Sequence, residues 1–291
     1  MFFQSLAGII ALDIDGTITD QMHLVPEGVI KYFEELVRRG WKIIFITGRP
    51  FQWSYNTLKK IRFSYHIAVQ NGALLLEMPT QIIRIKKYLS KDSIQEASLV
   101  CQKYQTDFIV YSGHENNDLC YFRPSMFSPE ILNYLNRRSK TLNEKWLPVS
   151  SFNNLQVQNF PSIKCFAKEN EAFLMQRDFE NQMGWHAPPN KDPFDPNYYV
   201  VQATHSEATK GNILREYCQL VNNSGPIIVA GDDNNDESML KLADVKIVME
   251  NAPEKLLSIA DIIAPKAEKE GIIKGLQDAL QLLSSKQKEL S

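Results

Sequence analysis

Residues 8–12 (GIIAL) form an unbroken apolar run that stops at two acids, Asp13 and Asp15. A run without polar alternation reads as a strand buried on both faces, the habit of parallel sheets. The pattern recurs twice. Residues 42–46 (KIIFI) end at Thr47-Gly48-Arg49, and residues 227–230 (IIVA) end at Gly231-Asp232. Between the first two runs, Pro26 opens a helical pattern that carries Val29, Ile30, Phe33, Leu36 and Val37, with Gly40 just past its end. A helix over 51–61 and a strand over 66–69 follow, before Asn71-Gly72. Strand, helix, strand, helix, strand is a parallel βαβ series.

The same rhythm returns near the C-terminus. Helices are expected over 210–221, 237–242, 253–260 and 272–283, and strands over 227–230, 245–249 and 262–263. The middle has a different texture. Helical patterns over 92–104, 129–142 and 171–183 alternate with short strands over 108–111, 119–122, 163–167 and 198–202. Pro188, Pro189, Pro193 and Pro196 make its end turn-rich. A chain of 291 residues accommodates two packed units. The predicted class is α/β. A doubly wound parallel-sheet (Rossmann-like) core spans residues 1–79 and 204–291, and an α/β cap over residues 80–203 is inserted into it.

Ligands in open α/β sheets bind outside the carboxyl ends of the strands. Three polar clusters would meet there: Asp13-Ile14-Asp15-Gly16-Thr17, Thr47-Gly48-Arg49, and Gly231-Asp232-Asp233-Asn234-Asn235-Asp236. Several carboxylates in one crevice repel one another unless a cation joins them. Hard oxygen donors without His or Cys select Mg²⁺, which characteristically also holds a substrate phosphate. Thr47 offers a hydroxyl and a backbone N–H to such a phosphate. Gly16 lets the loop after Asp13 turn its N–H groups inward as an anion nest, and Lys210 supplies a fixed positive charge. Each cluster alone also reads as a turn or a helix cap. Jointly, that reading leaves three polar clusters at one sheet edge by accident. Asn71 reads equally as a turn residue and as a site residue.

The motifs resemble those of the haloacid dehalogenase superfamily of phosphohydrolases. Asp13-x-Asp15-Gly16-Thr17 is similar to its first motif, and Thr47 at a strand end to its second. Lys210 before Gly211 is similar to its third, and Gly231-Asp232-x-x-Asn235-Asp236 to its fourth. Order and spacing resemble the Cof-type subgroup, which has a large α/β cap between the second and third motifs and includes many sugar-phosphate phosphatases. Thr47-Gly48-Arg49, Asn71-Gly72, Asn251-Ala252 and Glu270-Gly271-Ile272 are smaller matches. The chain departs from the pattern at residues 203–209, where a Pro-Gly turn is usual.

The resemblance implies a role for each residue. Asp13 attacks phosphorus and becomes phosphorylated. Asp15 protonates the leaving oxygen and later deprotonates water, which requires a raised pKa. Mg²⁺ is held by the Asp13 carboxylate, the Asp15 carbonyl and Asp232, with Asp236 behind them or acting through water. Thr47, Gly48, Lys210, Asn235 and Arg49 bind or position the phosphate. The expected activity is hydrolysis of a small phosphorylated metabolite, sugar phosphates included. Two other functions suit the same residues: a phosphomutase of the phosphomannomutase type, and a non-catalytic phospholigand-binding protein.

A net charge of −2 provides no basic footprint for nucleic acid or for a membrane surface. No run approaches the ~18 apolar residues of a membrane span. The apolar N-terminus lacks the charged start of a signal peptide. The four cysteines, Cys101, Cys120, Cys165 and Cys218, form no Cys-x-x-Cys pair and read as small buried hydrophobes in a reducing compartment. The five histidines show no ligand spacing. A cytoplasmic protein is expected, of unassigned oligomeric state.

Overall fold

In the computed structural model, the described residues are 7–19, 23–142, 144–192 and 194–290, with side chains to residue 286. Pro193 and the first residues of the apolar N-terminus lie outside them. In chain order the first elements are β1 (Ile9–Leu12), α1 (Glu27–Arg38), β2 (Lys42–Ile46), α2 (Phe51–Leu58), β3 (Tyr65–Val69), β4 (Leu74–Met78) and β5 (Ile82–Lys86). The middle holds β6 (Leu89–Ser90), α3 (Ser93–Lys103), β7 (Phe108–Tyr111), β8 (Cys120–Phe122), α4 (Pro129–Leu142), β9 (Trp146–Pro148) and β10 (Asn159–Phe160). It continues with β11 (Ser162–Ala167), α5 (Glu169–Met183), β12 (Pro189–Lys191) and β13 (Tyr199–Thr204). The last stretch holds α6 (Lys210–Leu220), β14 (Ile227–Gly231), α7 (Glu237–Leu240), β15 (Val245–Met249), α8 (Glu254–Leu257), β16 (Ile262–Ala264) and α9 (Gly271–Leu290).

These elements form two compact units. One contains the chain up to Gly48, Tyr55–Arg84, and Thr209 onward; the other contains Arg49–Ser54 and Ile85–Ala208. The first unit is built on a sheet in the order β16-β15-β14-β1-β2-β3-β4-β5. The strands from β16 to β3 are parallel, and β4 turns back antiparallel on β3. From β1 the chain moves outward through β2 and β3, then returns as β14 on the other side. The fold is therefore doubly wound, with its topological switch point between β1 and β14. Leu12 pairs with both Phe45 and Ala230, so Asp13, Thr47 and Gly231 emerge from one edge.

The apolar runs explain the position of this sheet. All four residues of β1 are fully buried, and each such Ile or Leu side chain contributes roughly 1.5–3 kcal/mol. Helix α1 buries Val29, Ile30, Phe33 and Leu36, one stripe at helical spacing.

The second unit has a sheet in the order β12-β13-β11-β7-β8-β9, with β11 antiparallel to both β13 and β7. Every residue of β11 is buried, because helices cover both faces. Ile163 and Cys165 join Ala97, Cys101, Met175 and Phe179 of α3 and α5. Phe166 joins Tyr134 and Leu135 of α4. Lys164 is the charged exception. Its Nζ lies 4.5 Å from the Tyr111 ring centroid, and burial pulls its pKa down to about 8.

Some expectations required correction. The sequence pattern places no strand between Asn71-Gly72 and residue 92, where the chain forms β4 and β5. The short apolar run of β4 follows a turn and pairs straight back, Val69 with Leu74. Strands β6, β9, β10 and β12 span two or three residues, too few to display a period. Helices α7 and α8 each last only four residues before the chain re-enters the sheet. Cys101, Cys120 and Cys165 are buried as free thiols, but Cys218, on α6, is only partly buried. Among the described residues no helix is long and apolar enough to cross a membrane.

Candidate active site

The site lies at the carboxyl edge of the first unit's sheet, at the switch point. Asp13 follows β1, and its N–H still donates to the Ala230 carbonyl at 3.0 Å, so the ladder with β14 fixes its backbone. Its side chain is 7% exposed. Lys210 is the first residue of α6, whose start is set by Thr209: this N-cap hydroxyl accepts from the Asn212 N–H. Lys210 Nζ reaches Asp13 Oδ1 at 2.5 Å and Asp236 Oδ1 at 2.6 Å. All three side chains are buried.

Asp236 is anchored by its other oxygen. Oδ2 accepts the N–H groups of Asp232 and Asp233 at 2.9 and 3.0 Å. Asp233 and Asp236 form a capping box around the short 3-10 turn Asn234–Asp236. Local backbone chemistry thus folds the acidic loop so that one carboxylate points inward. Gly231 is required for this approach, since a Cβ there would lie 2.5 Å from Asp236 Oδ2.

Asp13, Asp232 and Asp236 have carboxylate oxygens within 4.8 Å of one another. Burial raises the pKa of Asp13 to about 7; Asp236 and Asp15 add to that effect and Lys210 opposes it. Burial likewise pushes Asp232 well up, assisted by Asp13 and Asp236. Burial alone would pull Lys210 down, but Asp13 and Asp236 overcome it and hold the ammonium firmly protonated. When all three are ionised, three carboxylates against one ammonium leave two negative charges, which one divalent cation would neutralise. The donors are hard oxygens, so the set suits Mg²⁺ and not a soft metal.

The loop after β1 wraps this centre. Gly16 has φ +71°, and a Cβ on it would collide with Asp232 Oδ2. Thr17 Oγ1 donates to Asp232 Oδ1 at 3.3 Å. Gly16→Ala is expected to lower stability by about 1–2 kcal/mol from the left-handed backbone alone, with a further loss as Asp232 is displaced. Urea unfolding checks this, and an unchanged midpoint would contradict the geometry.

Asp15 stands apart from the buried trio. Its side chain is 44% exposed, with Oδ1 3.3 Å from His23 Nδ1. That contact was not anticipated: five histidines without ligand spacing concealed one beside an acid of the first motif. Thr47 is buried at the end of β2. Its backbone N–H, expected to face a phosphate, instead donates to the Ala68 carbonyl at 2.9 Å, because the β2–β3 ladder extends one residue further. Gly48 closes the first unit's segment, whereas Arg49 belongs to the second unit, its guanidinium 4.0 Å from the Trp53 ring centroid. Asn235 Nδ2 donates to Asn71 Oδ1 at 3.4 Å. The geometry therefore gathers Asp13, Lys210, Asp232 and Asp236 directly, with Thr47, Asn71 and Asn235 on the same edge.

The chain is similar to known proteins. A family model described as haloacid dehalogenase-like hydrolase matches residues 10–276. The chain is 20% identical over 278 residues to 5-amino-6-(5-phospho-D-ribitylamino)uracil phosphatase YitU of Bacillus subtilis (strain 168), covering 94% of this chain and 98% of the relative. Its fold is similar to that of SMU.1108c from Streptococcus mutans UA159, with TM-score 0.78, 19% identity, and 94% and 99% of the two chains covered. It is also similar to the fold of the HAD subclass IIB sugar phosphatase BT4131, with TM-score 0.73, 20% identity, and 94% and 98% covered.

Proposed function

The chain belongs to the haloacid dehalogenase-like hydrolases, and from that premise we propose that it is a Mg²⁺-dependent phosphatase using Asp13 as nucleophile. The observation that carries this reading is the set of buried Asp13 and Asp236 and half-buried Asp232 around Lys210, two charges short of neutrality when all three acids are ionised. Asp13, Asp232 and the Asp15 carbonyl would hold Mg²⁺, with Asp236 behind them. When bound, the ion neutralises charge on the phosphoryl oxygens as a Lewis acid.

The chain's own residues perform the chemistry. Lys210 grips Asp13 Oδ1 and fixes the orientation of its carboxylate. An Asp13 oxygen attacks phosphorus, forming an O–P bond as the P–O bond to the leaving group breaks. Asp15 gives its proton to the departing oxygen. Water then attacks phosphorus, Asp15 takes a proton from it, and the bond to Asp13 breaks to release phosphate. The half-exposed position of Asp15 suits exchange with both the leaving group and water. Thr47 and Asn235 hold phosphoryl oxygens.

Residues 80–203 are proposed to select the substrate, a small phosphorylated metabolite. The relatives' own activities, on a phosphoribitylamino-uracil and on a sugar phosphate, support that class. p-Nitrophenyl phosphate with Mg²⁺ tests the reaction type, and a panel of phosphorylated metabolites tests the substrate. EDTA is expected to abolish turnover and added Mg²⁺ to restore it; full activity after exhaustive chelation would overturn the metal's part. A bisphosphorylated sugar distinguishes a mutase, which would isomerise it without releasing phosphate.

A further inference from the structure

One buried side chain at the sheet edge has no part in the chemistry above. Asn71 is fully buried, and its Nδ2 has no hydrogen-bond partner among the described residues. A buried donor left unmade costs about 1–3 kcal/mol. Its backbone is unusual as well. Gln70, Asn71 and Gly72 all have positive φ, +52°, +57° and +101°, and all are buried. Consecutive left-handed residues persist only where their surroundings over-determine them.

Those surroundings are three segments of the site. The Asn71 N–H donates to the Thr47 carbonyl at 2.9 Å. Asn71 Oδ1 accepts from Asn235 Nδ2 at 3.4 Å. A Cβ on Gly72 would lie 2.9 Å from the Thr209 carbonyl and from Ile213 Cγ2, so the turn abuts the first turn of α6, which begins with Lys210. The residue is thus tied to the strand end bearing Thr47 and to the acidic loop, and its turn packs on the helix of the site lysine. Its one unused group is a neutral donor, suited to an anionic oxygen.

We propose that Asn71 is a phosphoryl-binding residue: Oδ1 orients Asn235, and Nδ2 donates to an oxygen of the substrate's phosphoryl group. The inference rests on the phosphatase reading only for its ligand. A backbone role and a side-chain role separate cleanly, because Gly and Asp both tolerate the left-handed conformation. Asn71→Gly keeps the turn and removes the carboxamide. Asn71→Asp keeps the shape and the acceptor but replaces the donor with a charged oxygen.

The test is orthovanadate binding by calorimetry in Mg²⁺, with kcat/KM on p-nitrophenyl phosphate measured alongside. Both variants are expected to fold with near wild-type thermal midpoints, and both to bind vanadate about 10- to 100-fold more weakly, N71D the more so. A parallel fall in kcat/KM is expected. Wild-type vanadate affinity in N71G would overturn the proposal and leave a turn residue. If the wild type bound vanadate but hydrolysed nothing, and N71D lost that binding, the inference would stand and the phosphatase reading would fall. A wild type that bound no vanadate would overturn the inference too.

Discussion

Asp13→Asn is expected to reduce kcat on any phosphomonoester by roughly 10³-fold or more, on the order of 4 kcal/mol of transition-state stabilisation. The amide keeps the shape of the carboxylate but cannot form the O–P bond. Loss of folding does not account for such a fall. Burial places Asp13 near a carboxyl pKa of about 7, well above the ordinary 3.8. An acid whose folded pKa is raised destabilises the metal-free fold progressively as pH climbs from its unfolded value through its folded one. Asparagine carries no such charge, and Lys210 retains Asp236. The metal-free variant should therefore unfold no earlier than wild type at neutral pH and above. Activity and stability measured on one preparation check the pair: dead but stable is the expected outcome, and an active variant removes Asp13 from the chemistry.

Lys210→Met tests the other half of the centre and should fail differently. Methionine fills similar space but leaves Asp13, Asp232 and Asp236 facing one another without the ammonium that pairs with Asp13 and Asp236. Breaking a buried ion pair by removing one partner costs about 3–5 kcal/mol, so unfolding in EDTA should move early by that order. The sign with pH follows from the acids. Lys210 itself stays charged throughout the neutral range, because its folded pKa is raised. In its absence Asp13 takes up a proton more readily still. The deficit should be largest above pH of about 7 and smaller in mildly acidic buffer, where the proton substitutes for the lysine. Mg²⁺ should recover part of the stability by binding the folded state. Turnover should stay roughly 10²- to 10³-fold down, because the nucleophile is no longer oriented. Denaturant titrations at two pH values, with and without Mg²⁺, read all of this. A variant as stable as wild type in alkaline EDTA would contradict the buried pairing.

Much of the fold was legible because parallel strands buried on both faces leave a plain signature. The runs at 8–12, 42–46 and 227–230 each became a strand of the same sheet. The acidic cluster was legible because Asp13 and Asp232 directly follow such strands, with Asp236 in the loop after the second. What escaped depends on contacts distant in sequence. Strand β4 follows a turn and takes its place from pairing with β3, which no periodicity announces. The neutralisation of Asp13 by Lys210 joins residues 197 positions apart. The contact of His23 with Asp15 follows no spacing that a sequence pattern displays. The Thr47 N–H was assigned to a ligand because a strand's end cannot be located to one residue from its pattern, and one more ladder bond occupies it. Asn71 looked like half of an Asn-Gly turn. It is one, but its burial and its bond to Asn235 are properties of the folded chain alone.

The claim at the centre is a covalent one, that phosphorus passes through Asp13. Its most direct test is an acid-quenched reaction of the Mg²⁺-loaded enzyme with a turned-over phosphomonoester, followed by peptide mass spectrometry. The account predicts a phosphoryl group on the peptide containing Asp13, lost on alkaline treatment as an acyl phosphate is, and absent from Asp13→Asn. Steady phosphate release with no phosphorylated peptide at any quench time, or a phosphoryl group on another residue, would contradict it.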